Sequence, residues 1–102
     1  MIRFAVLGLC LAAAPALAET DAERNERCAA QAGIIEQAVG LRADGTGKPG
    51  VTSALTEGAD AVPARYAPSV PPLVDWVFAL DEAQLSPEVA DVFEASCREF
   101  EQ

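Results

Sequence analysis

Apolar residues recur at three- and four-residue spacing from Cys28 to Leu41, through Ala32, Ile34, Ile35, Ala38 and Val39. That period predicts an amphipathic helix from about Asp21 to Ala43, with Glu23, Glu26, Arg27 and Glu36 on its polar face. Asp44-Gly45 supplies the stop, because glycine accepts the left-handed conformation in which helices commonly end. Thr46 to Gly50 reads as a Gly-rich linker. A second helix is expected over Val51 to Ala61, burying Val51, Ala54 and Leu55 with Val62 beyond it, and weakened by about 1 kcal/mol at Gly58.

Pro63, Pro68, Pro71 and Pro72 then forbid a helix interior, so a loop containing Arg65 and Tyr66 is expected over 63–72. A third helix starts at Ser69, with Pro71 and Pro72 in its first turn, where missing N–H groups leave no bond unmade. The stretch "LVDWVFAL", residues 73–80, is apolar at nearly every position except Asp75. Periodicity alone leaves buried strand and buried helix both open there, and the Ser-x-Pro-Pro start favours helix. Ser86-Pro87-Glu88 is a clearer start: a capping hydroxyl, a proline at the first position and an acid near the positive helix end. The last helix runs to about Phe100, with Val89, Val92, Phe93, Ser96, Cys97 and Phe100 on one face. Trp76, Phe78, Phe93 and Phe100, at helical spacing, are expected in the core. The fold class that follows is all-α, a small orthogonal or up-down bundle of about four short helices.

The N-terminus has a different character. Arg3, the apolar run Phe4 to Ala14 and the small-x-small triplet Ala16-Leu17-Ala18 read as a secretory signal cleaved after Ala18. The apolar stretch contains Pro15, falls short of the roughly 20 residues that span a bilayer, and runs straight into Glu19, so no stable membrane anchor is expected after cleavage. A lipidation site at Cys10 is disfavoured because Leu9 before it is not small, and Cys10 leaves with the leader. The expected organisation is 1–18 signal peptide and 19–102 a single helical domain, located in the periplasm.

Export changes what the remaining cysteines mean. In an oxidising compartment Cys28 and Cys97 are expected to pair, closing a loop of about 70 residues and fastening the first helix to the last. The mature part carries all sixteen acids against six bases, a side-chain balance of −10. Such a surface repels nucleic acid and anionic lipid headgroups and leaves basic proteins or cations as partners.

Candidate chemistry is sparse. The chain has no histidine, which removes Ser-His-Asp, Cys-His and the common zinc constellations. No enzymatic role, cofactor or metal is expected. "DGTGKPG", residues 44–50, is not a phosphate loop, since Arg42 stands where the first glycine is required and Pro49 where Ser or Thr is required. Lys48 and Pro49 also spoil a calcium loop. Candidate interaction residues are Arg65 and Tyr66, on the proline-rich loop, and Asp75, which either faces water or pairs with a cation such as Arg42.

"CAAQAGIIEQAVGLRADG", a cysteine opening a helix that ends in a basic residue and glycine, and the closing "LSPEVADVFEASC" resemble uncharacterised small exported periplasmic helical proteins of Gram-negative bacteria. The resemblance implies a periplasmic location and a bridged helical fold. In size, helicity and single disulfide the chain is loosely similar to HdeA-like acid-stress periplasmic chaperones, from which it differs in its widely separated cysteines and strong acidity. The expected function is a non-enzymatic protein-interaction module, such as an inhibitor, immunity or accessory factor, for a basic periplasmic protein. The alternatives are an acid-stress chaperone, opened when protonation swings the charge from −10 toward +6, and a carrier of apolar ligands or lipid.

The leader reading predicts that the exported protein begins at Glu19. Its intact mass would match residues 19–102; retention of Cys10 in that mass would contradict it.

Overall fold

A computed structural model describes residues 19–99; the expected leader with Cys10, and Phe100, lie outside the described residues. Four α-helices and two 3₁₀ segments follow one another, with no strand among the described residues: α1 (Asp21–Ala43), α2 (Lys48–Glu57), a 3₁₀ segment (Ala64–Ser69), α3 (Val70–Ala79), a short 3₁₀ turn (Glu82–Gln84) and α4 (Glu88–Glu99). The ambiguous stretch 73–80 is therefore helical over all but its last residue, which caps α3.

A capping box begins α1. The Thr20 hydroxyl accepts from the Glu23 amide at 3.0 Å, and the Glu23 carboxylate accepts from the Thr20 amide at 3.1 Å, so two otherwise orphaned donors are satisfied. The helix ends as its sequence predicts, with Gly45 at φ 94°, in the left-handed region. Its apolar stripe is buried as expected at Cys28, Ala32, Ile34, Ile35, Ala38 and Val39, while Leu41 is half-buried at the core's edge.

Two expectations fail between α1 and α3. The second helix spans Lys48–Glu57 instead of Val51 to Ala61, so residues 48–50 are its first turn and not linker. Pro49 sits among the first helical residues, where its preset φ suits the helix and its missing N–H has no intrahelical bond to lose. At the other end Gly58 is extended and donates its N–H to the Ala54 carbonyl; a Cβ there would stand 2.6 Å from that oxygen, so the chain leaves the helix on a glycine. The supposed loop 63–72 is a 3₁₀ segment followed directly by α3. Its Tyr66 is half-buried against the core instead of projecting freely.

The core forms where α2 and α3 lie against α1: Ile34, Ile35, Ala38 and Val39 meet Val51 and Leu55 of α2 and Val70, Val74 and Val77 of α3. Each large aliphatic side chain removed from water there contributes roughly 1.5 to 3 kcal/mol. The aromatic residues expected in this core are at its margin. Phe78 and Phe93 are half-buried and Trp76 is exposed. Small residues at the contacts, Ala32, Ala38 and Ala90, let the helices approach closely, and aliphatic side chains fill the space between them without room for a ring.

The last helix is attached differently. α4 packs along α1, yet Ala90 is its one fully buried side chain among the described residues. The expected apolar face is therefore displaced. Ala90 and Cys97 point at α1, Val89 and Phe93 are half-buried, and Val92 is 66% exposed. A bridge also ties α4 to α1, joining the fully buried Cys28 to the half-buried Cys97, with Cα atoms 5.7 Å apart across a sequence separation of 69 residues.

Closing a loop of that length restricts the unfolded chain by about 4 kcal/mol in the chain-entropy account. Chemical denaturation of the oxidised protein and of a Cys28→Ser/Cys97→Ser variant should differ by about that amount. A difference below roughly 1 kcal/mol would show that the bridge adds little.

Candidate functional site

Because the chain carries few bases among many acids, the position of each base decides the surface potential. Arg24 pairs with Asp21 at 3.0 Å on α1, Arg65 with Glu26 across the 3₁₀ segment, and Arg98 with Glu94 within α4. Lys48 at the start of α2 reaches Asp75 of α3 at 3.0 Å. Asp75 is thus both water-facing, at 64% side-chain exposure, and paired, but with Lys48 and not with Arg42.

Arg42 is used elsewhere. Its guanidinium donates to the carbonyls of Val77 at 2.6 Å and Leu80 at 2.9 Å and lies 5.5 Å from the Phe78 ring centroid. It thereby caps the C-terminal end of α3, where orphaned carbonyls carry partial negative charge.

Arg27, expected on the open polar face of α1, closes over the bridge. Its guanidinium makes two 3.0 Å hydrogen bonds to the Glu19 carboxylate, approaches Gln31 at 3.4 Å and stands 3.6 Å from the Cys97 sulfur. The fork of donors matches the two carboxylate oxygens, the geometry for which arginine is suited and lysine is not. The hydrogen bonds from Arg27 hold the Glu19 carboxyl below its ordinary range, and in return Glu19 raises the Arg27 pKa. Glu23 is likewise held low, by the backbone and hydroxyl bonds of the Thr20 cap.

Of the candidate interaction residues, Arg65 and Tyr66 stand together and Asp75 is separate from them. The Arg65 guanidinium lies 4.7 Å from the Tyr66 ring centroid while it pairs with Glu26. This stack welds the 3₁₀ segment to α1 and leaves Arg65 with its charge already matched. Among the described residues, no group of three or more Cys, Asp or Glu side chains is placed to hold a metal ion.

Two features have no predicted counterpart. An open cleft of about 660 Å³ lies between the C-terminal ends of α1 and α2, bordered by Gln37, Gly40, Leu41, Ala54, Asp44 and Asp60. On the other side of α3, Trp76 is 40% exposed with its ring centroid 6.1 Å from that of Phe93, at a tilt of 50°, beside the exposed Val92. Trp76 and Val92 are the large hydrophobic residues left exposed among the described residues.

Against this geometry, no family model matches the chain, and no curated protein or solved structure matches it either.

The depressed carboxyls of Glu19 and Glu23 give a signed pH dependence. A carboxyl whose folded pKa lies below its unfolded value near 4.5 adds stability at higher pH, and that contribution is lost as pH falls through the folded value. Thermal melts followed by circular dichroism should therefore show the midpoint falling as pH drops below about 4.5, with a shallower fall in Glu19→Gln. An identical pH profile for that variant would contradict the clasp.

Proposed function

We propose that this chain is a small acidic periplasmic protein, a non-enzymatic interaction module that engages a basic protein partner. The observation that carries this reading is the unequal satisfaction of charge. All six bases of residues 19–99 have an internal partner: five in ion pairs and Arg42 on backbone carbonyls. Among the same residues, ten exposed carboxylates make no ion pair, and one of them, Glu23, is engaged in the Thr20 cap. Of the others, Glu36, Asp44, Glu57 and Asp60 belong to the α1–α2 side, and Asp81, Glu82, Glu88, Asp91 and Glu99 to the C-terminal side. A surface with spent cations and free anions attracts a positively charged partner, steers its approach and repels phosphate-bearing surfaces. The periplasmic assignment rests on the leader-like residues 1–18 and on a structural disulfide, which persists in oxidising compartments.

An acid-activated chaperone role draws support from one contact. Protonating Glu19, whose carboxyl the Arg27 hydrogen bonds hold below its ordinary range, would dissolve the clasp over the bridge in acid. It requires suppression of client aggregation at low pH and none at neutral pH. A carrier of apolar ligands has less support, since the cleft between α1 and α2 is open and bears Asp44 and Asp60.

Affinity capture from the periplasm with the tagged mature protein tests the principal reading. It predicts a stoichiometric partner of basic isoelectric point that is released as salt rises from about 0.05 to 0.5 M, because screening shortens the reach of surface charge. A partner that is acidic, or one retained unchanged at high salt, would contradict it.

A further inference from the structure

α2 and α3 share an interface, and α4 lies along α1 on the other side of α3. Between α3 and α4 there is no comparable interface; the Trp76–Phe93 ring contact joins them. Apolar residues nonetheless surround that contact on both helices, Leu73, Val89 and Phe93 also reaching the core. On α3, Leu73 and Trp76 are three residues apart, with the capping Leu80 four further on, and on α4, Val89 precedes Val92 by three residues and Phe93 by four. Burial is complete for none of the six: Leu73, Leu80, Val89 and Phe93 are half-covered, and Trp76 and Val92 are exposed. Two helices laid side by side on a third, with an unfilled apolar seam between them, present the groove into which one further helix packs.

The charge around this seam selects the occupant. Glu88, one turn before Val92, and Glu99, two turns after it, share its side of α4, and Asp81 and Glu82 stand at the turn that closes the seam's end. None of these four has a basic partner among the described residues. A second copy of the chain would bring the same acids against them, and like charges brought together oppose association. Anionic lipid headgroups meet the same repulsion. A helix with an apolar stripe flanked by lysine or arginine meets both the seam and its border.

We propose that the seam between α3 and α4 is the seat of a basic amphipathic helix presented by the partner protein. This rests on the reading of the chain as a module for a basic partner and adds the form in which that partner binds. Trp76 is the anchor, an aromatic side chain already held by Phe93 and completed by the incoming apolar stripe.

Trp76 is the chain's one tryptophan, so its emission reports on the seam directly. The probe is a synthetic Leu/Lys helix of roughly 18 residues with leucine at i, i+3, i+4 and i+7, titrated into the oxidised mature protein. Its control is a peptide of the same composition with the leucines scrambled off one face. The proposal predicts a saturable blue shift of Trp76 emission with the amphipathic peptide and binding at least roughly tenfold weaker with the scrambled one. Val92→Glu separates seat from charge: it sits at an exposed position that the fold does not need and adds a negative charge. If the seam is the seat, this variant binds the amphipathic peptide roughly tenfold more weakly, whereas attraction by charge alone makes it bind more tightly. Equal binding of both peptides, or tighter binding by the variant, overturns the seam while leaving a basic partner in place. Failure of both peptides to bind overturns both readings. A concentration-dependent blue shift without peptide, accompanied by dimer in sedimentation, gives the seam to a second copy and overturns the proposal.

Discussion

The Cys28–Cys97 bridge is the constraint on which the arrangement of the molecule turns. The three helices α1, α2 and α3 share a core of interdigitated Ile, Val and Leu side chains and need no covalent help to explain their packing. α4 is in a different position, lying along α1 with Ala90 as its one fully buried side chain among the described residues. Half-buried Val89 and Phe93 add to that burial, and together they offset only part of the conformational entropy of ordering a twelve-residue helix. The covalent bond lifts much of that cost by keeping α4 near α1 even in the unfolded chain.

From that fastening follow the features that bear on function. α4 is held beside α3 without being packed into it, so the apolar sides of both helices stay incompletely covered and Trp76 remains half open. Because the bridge bears the load of attachment, α4 is free to place acids on most of its remaining surface. The Arg27–Glu19 clasp belongs to the same region: it brings the residues before α1 over Cys97 and covers the bridge from the solvent side. The bases are consumed internally, one by one, in fixing helix ends and neighbours. The described part of the molecule is cationically silent, with its negative charge turned outward.

How much of this was legible in the sequence depended on whether a feature was local. The 23-residue α1 and its Gly45 stop were legible because a long amphipathic period and a left-handed glycine are properties of contiguous chain. The Cys28–Cys97 pairing was legible once reading residues 1–18 as a leader set Cys10 aside. Pro49 was misread because a proline both breaks helices and begins them, and its neighbours Gly47 and Gly50 tipped the reading toward linker. Thr20 and Glu23 spell a capping box, and that signal was present but passed over. The partners of Asp75, Arg27 and Arg42 were not legible at all. Each depends on which helices become neighbours, and an arginine reaches a carboxylate eight residues away or a helix end 35 residues away with equal ease. The seam was hidden for the same reason: Trp76 and Val92 look like core at helical spacing until the bridge fixes how α4 is turned.

Amide hydrogen exchange on the oxidised and the reduced protein tests most directly the claim that the bridge, and not packing, holds α4 in place. The account predicts that reduction strips protection from the amides of Glu88–Glu99 while those of α1, α2 and α3 around Ile35, Leu55 and Val74 remain slow. Uniform loss of protection along the chain would show a single cooperative unit in which α4 is as integral as the rest. Unchanged protection in α4 would show that its contacts with α1 suffice without the bond, and either result would contradict the account.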